Sequence, residues 1–156
     1  HQGHLGRKYT SPFLKIFFER KYAPTVDGIL DFANASIDHI YKFRFFYTEL
    51  YILQKNDPKL RDAYKNHLIR SAGQAAETFA PWEAAGILSI PKEEEEKERL
   101  LQNMWIIAMT AMGFLQNFNP RLSGKKIKDS VKQQLYSLLY SSFSPTGRDT
   151  LKRLYK

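Results

Sequence analysis

The sequence predicts an all-α chain, a bundle of about six helices, and three observations predict it. First, helix starts are written into it. Ser11-Pro12, Asp57-Pro58 and Ser144-Pro145 each place a capping side chain before a proline at the first helical position. Second, the apolar residues between these points recur at intervals of three and four, the helical period. Third, no stretch alternates as a strand does, and neither a hairpin signal nor an internal repeat is present. At 156 residues the chain is one domain by length. A compact chain of that size buries roughly 68–70% of its unfolded surface, so it needs no staples.

The first proline start leads a short segment from Pro12 to about Tyr22 carrying Phe13, Leu14, Phe17 and Phe18. Ala23-Pro24-Thr25 ends it, because the residue before a proline is pushed out of the helical region. A long helix is then expected from about Val26 to Lys55, with a kink near Gly28 or Asn34. It contains the run Tyr41-Lys42-Phe43-Arg44-Phe45-Phe46-Tyr47-Thr48-Glu49-Leu50. At 100° per residue, Ile40, Phe43, Tyr47 and Leu50 share one face with Phe46 at its margin. Tyr41, Phe45, Thr48 and Ile52 make a second apolar stripe opposite. The expected arrangement turns Phe43, Phe46, Tyr47 and Leu50 toward a cavity, with Tyr41, Phe45 and Ile52 in structural packing. Arg44 has no acidic residue three or four positions away, and reads as a packing or snorkelling arginine.

From Asp57-Pro58 a third helix places Leu60, Tyr64, His67, Leu68, Ser71 and Ala75 on one face and reaches about Phe79, where Ala80-Pro81 bends or ends it. Trp82 to Leu88 reads as one further turn stopped by Gly86 in a left-handed cap. Ser89 to Lys92 is loop. Glu93 to Glu96 suits a first helical turn, where carboxylates meet the positive end of the dipole. The helix from about Glu94 to Phe118 is apolar nearly all round. Its one lightly polar strip holds Asn103, Thr110, Gly113 and Asn117, with Ile106 among them. Asn119-Pro120 ends it. Lys125 to Ser142 is amphipathic, and a last helix runs from Pro145 to near Tyr155.

Composition excludes several classes. With no cysteine, a disulfide framework, a Cys-ligated zinc site and a thiol nucleophile are out, and a reducing, cytoplasmic home fits. The longest apolar run, Met104 to Leu115, is twelve residues, short of the about 20 that span a membrane. Net charge is +8, concentrated late: from Arg121 onward nine Lys/Arg face only Asp129 and Asp149. A basic tail can bind phosphate backbones, but these charges alternate with an apolar stripe and read as a solvated helix face. His39 and His67 lie in no metal-binding or catalytic spacing, and no phosphate loop or nucleophile elbow is present. Adjacent Asp38 and His39 point 100° apart on a helix and do not form an acid–base pair. No catalytic residue, metal site or cofactor is expected. Trp82, Trp105, Met104, Met109 and Met112 read as core or as the wall of an apolar ligand site. Tyr47, Asn103 and Thr110 would then supply the polar groups that orient a guest.

Tyr41-Lys-Phe-Arg-Phe-Phe-Tyr47-Thr-Glu-Leu50 followed by Asp57-Pro58-x-Leu60 and Tyr64 resembles the regulatory half of TetR-type bacterial transcriptional repressors. Ala84-Ala85-Gly86-Ile87-Leu88, the tryptophan-bearing Leu101 to Trp105 and Ser142-Phe-Ser-Pro145-Thr-Gly-Arg148 continue the likeness, in the family's order, over roughly residues 37 to 156. Lys42-Phe43, where the family has an arginine directly after the tyrosine, is a departure. The resemblance implies a TetR-type regulatory domain that senses a small apolar effector. Its ligand-binding residues would be Phe43, Phe46, Tyr47, Leu50, Trp82, Asn103, Trp105, Thr110 and Met112. It also implies a homodimer, whose interface the stripe Ile127, Val131, Leu135, Leu138 and Leu139 would form with the 94–118 helix. Residues 12–156 are expected to be this domain and residues 1–11 a disordered or appended leader. Operator DNA would be reached only through an N-terminal helix-turn-helix that eleven residues cannot hold. Rival readings are a free-standing helical carrier of lipid-like molecules and a basic nucleic-acid-binding module using Lys125 to Lys132.

Overall fold

The computed structural model describes residues 20–154. The caps expected at Asp57 and Ser144 form within them, and Thr25 and Ser123 are two further caps not named from the sequence. Thr25 accepts a hydrogen bond from the Gly28 N–H at 3.2 Å and opens α1, Val26–Lys42. Asp57 accepts from the N–H groups of Lys59 and Leu60 ahead of Pro58, opening α3, Pro58–Ala84. Ser123 caps α5, Gly124–Leu139, through the Lys126 N–H. The helix α4, Glu94–Phe118, begins with three glutamates in its first turn, as the dipole favours. A 3-10 turn, Tyr140–Ser142, leads into α6, Pro145–Leu154. The short segment expected from Pro12 lies outside the described residues, except for 20–22, which are not helical.

The long helix expected over Val26–Lys55 is two. Phe43, with φ −104° and ψ 20°, leaves helical geometry and separates α1 from α2, Arg44–Asn56. Gly28 and Asn34, where a kink was expected, are within unbroken helix. At the far end of α3 the helix continues through Pro81 to Ala84. The carbonyl that Pro81 leaves unbonded belongs to Glu77, an exposed residue within reach of water. Gly86 then takes φ 71°, as its reading as a left-handed cap requires.

Two apolar clusters fill the interior. The first joins Val26, Ile29 and Phe32 of α1 to Phe79 and Trp82 of α3, to Leu88 and Ile90, and to Tyr136, Leu139, Phe143 and Leu151. It is stitched by backbone: Ser89 N–H donates to Ser142 O at 2.6 Å and Ser144 N–H to Ile87 O at 2.8 Å, around an isolated Leu88–Phe143 bridge. The second joins Ile37 and Ile40 of α1 to Ala108, Ala111 and Met112 of α4 and to Ile127 and Val131 of α5. Alanines on α4 let these helices approach closely. The α3 helix packs closely on α2. Among its ring contacts to other elements are Phe79 and Trp82 against Phe32 of α1, and Tyr64 against Trp105 of α4.

Candidate functional site

At the α1–α2 break, the aromatic run and α4 do not close on each other. They leave a partly open cleft of about 160 Å³. Ile40, Arg44, Phe45, Tyr47 and Thr48 line it from one side, and Met109, Met112, Gly113, Gln116 and Asn117 from the other. The floor is apolar; the polar groups are one guanidinium, one hydroxyl, one phenol and two carboxamides.

Arg44 is held at the break. Its Nη1 donates to the Tyr41 carbonyl at 2.9 Å, capping a carbonyl at the end of α1. Its guanidinium stacks on the rings of Tyr41 at 4.1 Å and Phe45 at 4.5 Å. Its Nε is buried without a partner among the described residues, and no carboxylate pairs with it. A buried donor left unmade costs about 1–3 kcal/mol, more when charged. The expectation of a packing arginine fits its ring contacts and does not account for the unpartnered Nε.

At the cleft wall and behind it the polar groups are drier. Burial, then the neighbouring Tyr64, holds the Tyr47 phenol above its ordinary range. Burial pushes Tyr64 up to about 12, against a hydrogen bond with the Trp105 side chain that lowers it. Burial, then Lys42, lowers the pKa of His39; burial, then Arg70, lowers that of His67. Further along α3, Ser71 Oγ and Gln74 Oε1 are buried without a partner among the described residues, as is Ser36 Oγ of α1.

The residues expected to bind a ligand are only partly brought together. Tyr47 and Met112 line the cleft, and Trp105 stands behind it, against Tyr64. Leu50 is buried and Phe43 and Phe46 half-buried, none of them lining the cleft. Trp82 is 1% exposed in the first cluster, its indole N–H donating to Ala23 O at 2.8 Å. Asn103 and Thr110 are exposed, the Thr110 hydroxyl donating to the Ile106 carbonyl. Phe45 and Ile52, expected in packing, are 68% and 54% exposed, although Phe45 edges the cleft. Met109, read from the sequence as core or cavity wall, also lines the cleft, and so do Arg44, Gln116 and Asn117, which were not among the expected ligand-binding residues. The signal for Arg44 was its lack of an acidic neighbour three or four positions away.

The stripe expected at a dimer interface is largely occupied within the chain. Ile127 and Val131 are buried in the second cluster and Leu139 in the first; Leu135 and Leu138 are half-buried. The outer face of α4 is uncovered among the described residues: Asn103, Ile106, Thr110, Phe114, Asn117 and Phe118 are all exposed. The basic tail is partly tied down, with Lys128 Nζ 2.9 Å from Asp38 and Lys132 Nζ 3.1 Å from Asp129. Among the described residues no cluster of His, Asp or Glu suits a metal ion and no helix is long and apolar enough to cross a membrane.

A family model described as TetR, bacterial transcriptional repressor, matches residues 9–151. A solved TetR-family transcriptional regulator from Marinobacter aquaeolei VT8 superposes with a TM-score of 0.77 at 22% identity, over 95% of this chain and 70% of that one. No curated protein matches the chain.

Proposed function

This chain belongs to the TetR family of bacterial transcriptional repressors, and from that premise we propose that it is the effector-binding and dimerisation part of a cytoplasmic regulator with no catalytic role. The observation that carries the reading is the cleft between the α1–α2 break and α4. It sits where one helix has already been interrupted, so a guest that fills it changes the angle between two elements as well as their contacts. In the intact regulator a ligand that prefers one spacing of the DNA-binding heads changes operator affinity by its differential binding to the two arrangements.

The exposed strip on α4 supports the dimer. Ile106 is 55% exposed and Phe114 58%, on a face that also carries Asn103, Thr110 and Asn117 at near-heptad spacing. A second copy of α4 covers such a strip in a self-complementary contact. Ile106→Glu is therefore expected to yield monomer in sedimentation velocity with helical content retained. An unchanged mass would place the interface elsewhere. Val131→Glu is the contrasting variant, because Val131 has no exposed surface; it is expected to unfold the chain instead of dissociating it.

A further inference from the structure

Among the described residues Arg44 is the one charged side chain lining the cleft, and no carboxylate of theirs shares it. Its guanidinium is already engaged: Cζ lies 4.1 Å from the Tyr41 ring centroid and 4.5 Å from that of Phe45, and Nη1 donates to the Tyr41 carbonyl. Nε is buried and has no partner among the described residues, and with Nη2 it forms the second edge of the group. Two parallel N–H groups on one edge match the two oxygens of a carboxylate, and that planar fit is what distinguishes an arginine site from a point charge.

The rest of the cleft sets the size and character of the guest. Met109 and Met112 face the guanidinium side with flexible, polarizable thioethers. The volume of about 160 Å³ is close to the roughly 150 Å³ of an apolar cavity that accepts a single benzene. With one cation among its described lining residues the cleft balances the charge of a monoanion, whereas a phosphate dianion would leave a negative charge uncompensated. We propose that the cleft binds a small monocarboxylic acid whose apolar body is about one ring in size, with its carboxylate on the Nε–Nη2 edge of Arg44 and its body against Met109 and Met112. The inference rests on the effector reading above and adds the ligand class to it.

The three methionines of the chain provide the test. Met109 and Met112 line the cleft, while Met104 packs on the first cluster, so methyl-labelled methionine carries its own control. Benzoate and its neutral isostere benzamide are titrated into the unaltered protein and followed by NMR. Benzoate is expected to move the Met109 and Met112 methyls, leave Met104 in place and bind roughly tenfold tighter than benzamide, as a charge-assisted pair warrants. Arg44→Gln is expected to erase that preference and Arg44→Lys to restore part of it. Equal binding of the two compounds, or undiminished benzoate binding by Arg44→Gln, overturns the carboxylate assignment and leaves an apolar effector cleft standing. If neither compound moves Met109 or Met112, the carboxylate class and the cleft as the effector site are both overturned.

Discussion

The two halves of the interior are built on different plans. In the first cluster, rings interlock: Phe32, Phe79 and Trp82 lie with centroids 5.7 to 6.0 Å apart, and Trp82 also ties down the Ala23 carbonyl. Backbone hydrogen bonds between 87–89 and 142–144 hold that end from outside. In the second, Ile37, Ile40, Ala108, Ala111 and Met112 pack without a ring among the buried residues. The adjoining break at Phe43 has no side-chain cap, and a charged donor goes unpaired beside it. Rigid rings and long-range hydrogen bonds fix one end, whereas alanine, methionine and a broken helix leave the other able to adjust. The groups behind the cleft whose protonation is perturbed by burial, Tyr47, Tyr64, His39 and His67, lie nearer the adjustable end.

Three experiments bear on that contrast. Trp82→Ala has the largest expected effect, a loss of about 3–5 kcal/mol in urea unfolding, since it removes a buried ring and orphans a carbonyl. A loss under about 1 kcal/mol would show that the first cluster is not the stronger end. Met112→Ala is expected to cost less, about 2 kcal/mol, because Met109 and the open cleft let neighbours relax into the space. Equal costs at the two sites would erase the distinction. The smallest effect is that of pH. His39 and His67 have folded pKa values below the ordinary 6.5, so below that value the unfolded chain binds more protons than the folded one. Stability is therefore complete above about pH 6.5 and declines as pH falls through and below it. A melting series from pH 7.5 to 5 should show the decline in the parent and a shallower one in the His39→Gln, His67→Gln double variant. Identical slopes would remove these histidines from the account.

Much of the fold was legible because its signals are local. Asp57-Pro58 and Gly86 declare a start and a stop within a few residues, and the structure obeys them. The break at Phe43 was not legible, since neither glycine nor proline marks it and the aromatic period runs straight through. Trp82 was misplaced for a related reason. Read as core or as a ligand-site wall, it is assigned to the core by its burial, its contacts with Phe32 and Phe79 and its bond to Ala23, 59 residues away, none of which periodicity reports. Asn103 and Thr110 share a helical strip with Ile106, and periodicity reports that they share a face without saying which way it looks.

Tyr41 has a consequence beyond packing. Two cations lie over its ring, Arg44 at 4.1 Å and Lys128 of α5 at 5.5 Å. Its hydroxyl stands where a side chain at Gly124 would intrude, so the start of α5 is shaped around it. A guest that draws Arg44 away from this ring disturbs α5, and reciprocity obliges α5 to return the same factor to the guest's affinity. Should the packing of α4 and α5 depend on a second subunit, the affinity measured for a ligand would depend on protein concentration, and a titration in dilute solution would report a different constant from one in concentrated solution.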